Sequence, residues 1–218
     1  MWSIVSNNCW GSGLYQESGD PYNTPFVGLW LHPDDYLSLL EDFRAIMSSP
    51  VEIASSSKRF GNTPYPVGVL RGGIEVQFLH YRNADHAKQT WERRTARLPV
   101  SDNDLFVKIC DRDGISEAHL ERFDTLAFRN KIGFVKRGKF DCAKYPWLVE
   151  IDVSGDTVPD GVRLWRITRA LREFDPYQWV GERRPKHGLQ SALPRGLRPT
   201  KRRNPLAGVY RKLMYFVN

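Results

Sequence analysis

Three cysteines among 218 residues, Cys9, Cys110 and Cys142, are too few and too scattered for a disulfide framework or a zinc knuckle. The expected compartment is therefore the reducing cytoplasm. Long apolar runs are also missing. The longest, Phe26 to Leu31, is far short of the ~20 residues that cross a bilayer. Met1 to Val5 has neither a basic n-region nor an apolar h-region, so export is not expected. Neither a Gly-rich phosphate loop nor an internal repeat is visible. With 41% hydrophobic, 12% aromatic and 26% charged residues, the composition excludes a wholly disordered, collagenous or coiled-coil chain.

A net charge of +7 suggests a basic protein until it is divided along the chain. From Gly181 onward ten Lys/Arg face one acid, Glu182; removing that +9 leaves residues 1–180 at −2. A nearly neutral body argues against nucleic acid as its partner. The segment 181–205, punctuated by Pro185, Pro194, Pro199 and Pro205, reads as an extended basic linker. After Asn204-Pro205, a helix start, Leu206, Val209, Tyr210, Leu213, Met214 and Val217 form one apolar stripe of a short helix over 206–218. Lys201, Arg202 and Arg203 precede it and Arg211 and Lys212 flank it, the pattern of an anchor on an anionic membrane surface. The same stripe also suits docking on the chain's own core or on a second subunit.

Residues 1–180 alternate between strand and helix patterns. Strands are expected at Met1–Val5, Phe26–Leu31, Val51–Ala54, Leu105–Cys110, Lys131–Lys136 and Trp147–Val153, with a hairpin of Val67–Leu70 and Ile74–Tyr81 around Arg71-Gly72-Gly73. Helices are expected from His32 to about residue 48, over 85–98, from Ser116 to about Phe123, and over 174–180. This predicts one α/β domain, three layers α/β/α over a mixed sheet.

Open α/β sheets bind ligands beyond the carboxyl ends of their strands. Two polar clusters fall there: Ser6-Asn7-Asn8-Cys9-Trp10-Gly11 after the first strand, and Asp111-Arg112-Asp113-Gly114 after Leu105–Cys110. Cys9 as nucleophile, His80 as base and Asp111 as orienting carboxylate would suit acyl transfer. Ser6, Asn7, Asn8, Trp10, Arg112 and Asp113 would contact substrate or oxyanion. The plain alternatives are a buried cysteine, a core histidine and a helix-capping turn. Acyl transfer needs no metal; Asp111-x-Asp113 could instead hold Mg²⁺ or Mn²⁺ against the diphosphate of a nucleotide sugar.

These motifs carry a resemblance. Residues 6–11, Tyr22 to Leu29, Tyr65-Pro66-Val67-Gly68, Phe78-Leu79-His80-Tyr81, Leu105 to Lys108 with Asp111 to Gly114, Arg122-Phe123-Asp124 and Asn130-Lys131 resemble the bacterial DUF1919 family. The resemblance spans residues 3–180 and leaves the tail outside. It implies a three-layer α/β/α fold and a place in exopolysaccharide or capsular polysaccharide biosynthesis, where some members are labelled acetyltransferases. Members often have Cys-Thr after the Asp-Arg-Asp-Gly element; Ile115-Ser116 stands here, so no role for a second cysteine carries over. The expectation is a transferase on the cytoplasmic face of the cell membrane with a carbohydrate substrate. The donor would be an acyl donor such as acetyl-CoA or, alternatively, a nucleotide sugar. A third expectation is a non-catalytic sugar-binding or scaffold subunit of a membrane polysaccharide-assembly complex.

Overall fold

A computed structural model describes residues 1–182. The expected tail helix over 206–218, with Lys201, Arg202, Arg203, Arg211 and Lys212, lies outside the described residues.

The fold is α/β, with the mixed pairing divided between two sheets. A parallel sheet has the order β1 (Ser3–Ser6), β5 (Leu105–Cys110), β6 (Asn130–Lys136), β7 (Leu148–Ile151). An antiparallel sheet joins β2 (Glu52–Ala54), β3 (Val67–Leu70) and β4 (Ile74–Gln77). Helices α1 (Ser12–Ser18), α2 (Pro33–Glu41), α3 (Phe43–Met47), α4 (Ala84–Thr95), α5 (Glu117–Thr125), α6 (Gly161–Thr168) and α7 (Pro176–Trp179) complete it.

Strand alternation sends successive side chains to opposite faces. On β5, Val107 and Ile109 join a core with Val5, Val135, Tyr36 of α2, Phe123 of α5 and Trp91 of α4. Phe106 and Cys110 enter a second core, with Trp10, Leu14, Tyr15, Trp165 and Tyr177. Lys108 is fully buried between those two residues. The expected strand Phe26–Leu31 is reduced to a single bridge, Trp30 to Gln77 of β4, because Gly28 turns the chain at a φ of +76°. The expected helix from His32 is interrupted at Asp42, whose φ of −128° and ψ of +43° divide α2 from α3. Two helices were not anticipated. α1 and α6 pack because Gly13 has no Cβ: one placed there would sit 2.3 Å from the Trp165 ring.

Among the described residues no helix is long and apolar enough to cross a membrane.

Candidate active site

The register pairs Ser6 of β1 with Lys108 of β5, so the loops that follow these strands meet at one rim of the parallel sheet. Asp113 Oδ2 accepts hydrogen bonds from Asn7 Nδ2 at 2.8 Å and Asn8 Nδ2 at 3.0 Å. Its Oδ1 accepts from Arg112 at 3.2 Å. Lys108 Nζ donates to Asn8 Oδ1 at 3.0 Å and to Asn7 Oδ1 at 3.4 Å. Two amides thus stand between a buried ammonium and a carboxylate that is 1% exposed. Burying such charges is tolerable only when their hydrogen bonds are satisfied, as here. Asn7 and Asn8 are buried, and their amides brace the rim from within. Ser6 is buried with its Oγ toward Asn8 N, and Trp10 is buried with its indole N–H on Thr168 Oγ1 at 2.9 Å.

Cys9, His80 and Asp111 are not joined by any hydrogen bond among the described residues. Asp111 turns away toward β6 and the loop before α6. Its oxygens accept from Val158 N at 2.9 Å and Lys136 N at 3.1 Å, and Lys139 Nζ lies 3.2 Å away. These groups occupy the carboxylate that was expected to orient His80. Cys9 is half-buried, its thiol 3.7 Å from Leu29 O. Burial pushes that thiol above its usual value; hydrogen bonds from the backbone of Gly28 and Leu29 pull it partly back. His80 donates its backbone N–H to Gly28 O at 3.0 Å, so Cys9 and His80 both contact the Gly28–Leu29 turn. The surrounding protein lowers the His80 imidazole, although part of the side chain stays exposed.

The same rim carries a second set of groups, at the helix starts expected at His32 and Ser116. α2 and α5 both start there. Ser116, the N-cap of α5, places Oγ 2.7 Å from His119 Nδ1 and donates its backbone N–H to the same nitrogen at 3.0 Å. His119 Nε2 lies 3.0 Å from Asp34 Oδ1 in the first turn of α2. A Nδ1 that accepts from the Ser116 backbone leaves the ring proton on Nε2, directed at the carboxylate. The result is a hydroxyl–imidazole–carboxylate chain with Ser116 exposed and His119 only 17% exposed. Partial burial raises the Asp34 carboxyl, but the hydrogen bond and charge of His119, with His32 and Arg59, outweigh it and hold Asp34 below the usual range. His32 Nδ1 sits 3.3 Å from Asp34 Oδ2; burial, then the Arg59 charge, lower its pKa. Arg59 pairs with Asp35 at 3.0 Å, and Arg122 pairs with Glu41 at 2.9 Å while staying 3.8 Å from Asp34. The available signal was a His or Asp in the first turn of each of two helix starts, at His32 and at Ser116.

Among the described residues, no group of three or more His, Cys, Asp or Glu is arranged to hold a metal ion. Residues 1–146 match the family described as "Domain of unknown function (DUF1919)". A protein of Haemophilus influenzae described as uncharacterized is 33% identical over 179 residues, covering 81% of this chain and 82% of its own.

Proposed function

We propose that this chain, which belongs to the DUF1919 family, is a transferase that passes an acyl group from a thioester donor such as acetyl-CoA to a carbohydrate hydroxyl. The observation that supports this reading is the Ser116–His119–Asp34 chain at the carboxyl rim of the parallel sheet. An acceptor hydroxyl entering beside Ser116 would displace the Ser116 backbone N–H from His119 Nδ1 and give its proton to that nitrogen while its oxygen attacks the thioester carbonyl. Asp34 holds the Nε2 proton and stabilises the imidazolium; that proton stays in place, and the one on Nδ1 then goes to the leaving thiolate. The N–H groups of Glu117 and Ala118, the first two of α5, have no carbonyl four residues back within the helix and suit the developing oxyanion.

This assignment moves the base from His80 to His119 and the orienting carboxylate from Asp111 to Asp34. A thiol raised by burial makes Cys9 a weak nucleophile at neutral pH. A role in surface-polysaccharide assembly at the inner face of the cell membrane, with the basic tail as anchor, belongs to the same proposal.

The test is release of free CoA by the full chain, given acetyl-CoA and a panel of sugars. His119→Gln is expected to lower turnover roughly 10²–10⁴-fold while the protein stays folded. Turnover equal to wild type in His119→Gln rejects the assignment. No CoA release, with a nucleotide sugar plus Mg²⁺ or Mn²⁺ raising the melting temperature, favours glycosyl transfer instead. Silence in both assays favours a sugar-binding or scaffold role.

A further inference from the structure

Ser116 and His119 close a reciprocal cap at the start of α5. Ser116 Oγ accepts the His119 backbone N–H, and the Ser116 backbone N–H donates to His119 Nδ1 at 3.0 Å. Such a box is commonly closed by the side-chain oxygen of Glu or Gln at the third helical position. Here an imidazole stands there, and it does two things that capping does not require. Its Nδ1 lies 2.7 Å from Ser116 Oγ, so the serine hydroxyl donates to it. Its Nε2 lies 3.0 Å from Asp34 Oδ1, a carboxylate brought in by α2 from 85 residues away. A cap alone needs no acid behind its ring.

Access fits chemistry at this hydroxyl. Ser116 is exposed, whereas His119 is 17% exposed and backs onto α2. Of the two lone pairs on Oγ, one takes the His119 N–H and the other is left for an incoming carbonyl carbon. The Glu117 N–H, one of the two open to an oxyanion, belongs to the residue directly after Ser116. Enzymes with a serine nucleophile at a strand-to-helix turn draw an oxyanion donor from that same position. The Glu117 carboxylate is occupied: Tyr145 Oη donates to it at 2.7 Å and Lys144 Nζ lies 3.2 Å away, so its charge is offset.

We infer that Ser116 is itself an acyl acceptor, taking the acyl group of an activated ester or thioester as a covalent serine ester that water then hydrolyses. The hydroxyl seated against Nδ1 is that of Ser116, so without a sugar present it is the one that reacts. The inference rests on the Ser116–His119–Asp34 chain of the proposed transfer but requires neither acetyl-CoA nor a carbohydrate. Oγ bonds to the carbonyl carbon as its proton passes to Nδ1, whose lone pair releases the Ser116 backbone N–H. The tetrahedral intermediate collapses, the bond to the leaving oxygen or sulfur breaks, and the Nδ1 proton goes to that leaving group. Water next gives a proton to Nδ1 while its oxygen attacks the serine ester. The proton returns to Oγ as the carboxylic acid departs, and Asp34 holds the Nε2 proton throughout.

The experiment treats the full-length protein with p-nitrophenyl acetate and, separately, with a dialkyl fluorophosphate, and maps the modified peptides by mass spectrometry. Ser116 is expected to carry one acetyl group after a rapid acid quench, and a stable dialkylphosphoryl group, with fluoride released, from the second probe. Both reactions at Ser116 should slow roughly 10²-fold or more in His119→Gln. Ser116→Asn should take no label at that position and should release p-nitrophenol more slowly. Both variants preserve the helix start, since Gln closes a capping box and Asn is a good N-cap. A Ser116 that takes neither probe overturns the inference. So does labelling at an equal rate in His119→Gln, or p-nitrophenol release unchanged in Ser116→Asn. A labelled Ser116 with no CoA release from acetyl-CoA leaves this inference standing and removes the proposed transfer. CoA release with an unlabelled Ser116 does the reverse.

Discussion

Asn8 and Asp113 are 105 residues apart in sequence and share a 3.0 Å hydrogen bond from Nδ2 to Oδ2. That bond, with its Asn7 counterpart, fastens the loop after β1 to the loop after β5. Asp113→Ala leaves the buried Lys108 ammonium and two amides uncompensated, so a loss of about 3 kcal/mol is expected. Asp113→Asn, which retains one acceptor oxygen, should lose less. Urea midpoints for the two variants check both the size and the order.

Close packing between α1 and α6 makes a contrasting pair of glycine substitutions informative. Gly13→Ala would drive a methyl group to 2.3 Å from the Trp165 ring, wedged in the second core. A cost of roughly 1–3 kcal/mol or more follows. Gly155→Ala meets only Thr157 O at 3.5 Å and should change stability by less than about 0.5 kcal/mol. Equal melting temperatures for the two variants would contradict this packing.

Cys9 should react slowly with iodoacetamide near neutral pH. Burial disfavours its thiolate, and the Asp113 charge adds to that more than the Lys108 charge relieves it. Peptide mapping of the alkylated protein should show a Cys9 rate below that of free cysteine, rising steeply as pH climbs past about 8.5. A Cys9 faster than free cysteine at pH 7 would restore it as a candidate nucleophile.

Acid should weaken the fold in two stages. Burial, then Arg59, lower the folded-state pKa of His32, and His80 is lowered in the same direction. The unfolded chain therefore binds the extra protons first. Stability is fully present above about pH 6.5 and falls as pH drops toward the depressed folded values. Asp34, held low by His119 despite its partial burial, adds a second loss below about pH 4. Denaturation of wild type and His32→Gln at pH 7.5 and 5.5 reads the first stage; the variant should lose less between the two. Equal losses would remove His32 from the account.

The strands were legible because their apolar runs are dense: Leu105-Phe106-Val107 and Ile109-Cys110 leave little choice but a buried strand. Lys108 inside that run was itself a signal, since a lysine at a core position needs partners, and Asn7 and Asn8 at the next strand end supply them. α1 was hidden because Ser12-Gly13 reads as turn chemistry; only the close approach to Trp165 explains a glycine in that helix. α6 was hidden behind the Ser, Gly, Asp and Pro of 154–160, although Asp160 caps it through Val162 N and Arg163 N. The pairing of His119 with Asp34 spans 85 residues and joins two helix starts, which no local pattern reports. Asp111 misled for a related reason: a carboxylate at a strand end can face either neighbouring strand, and backbone donors from β6 and from the loop before α6 decided it.

Among the described residues Lys108 meets no acid directly; its charge reaches Asp113 by way of two asparagine side chains and the Cys110 thiol. Replacing Lys108, Asn7, Asn8 or Asp113 alone strands a charge or a dipole in the interior. Replacing the whole quartet with apolar residues of matching volume need not. Relatives are therefore expected to keep or surrender these positions as a block, and an engineer reshaping this end of the molecule must treat them as one part.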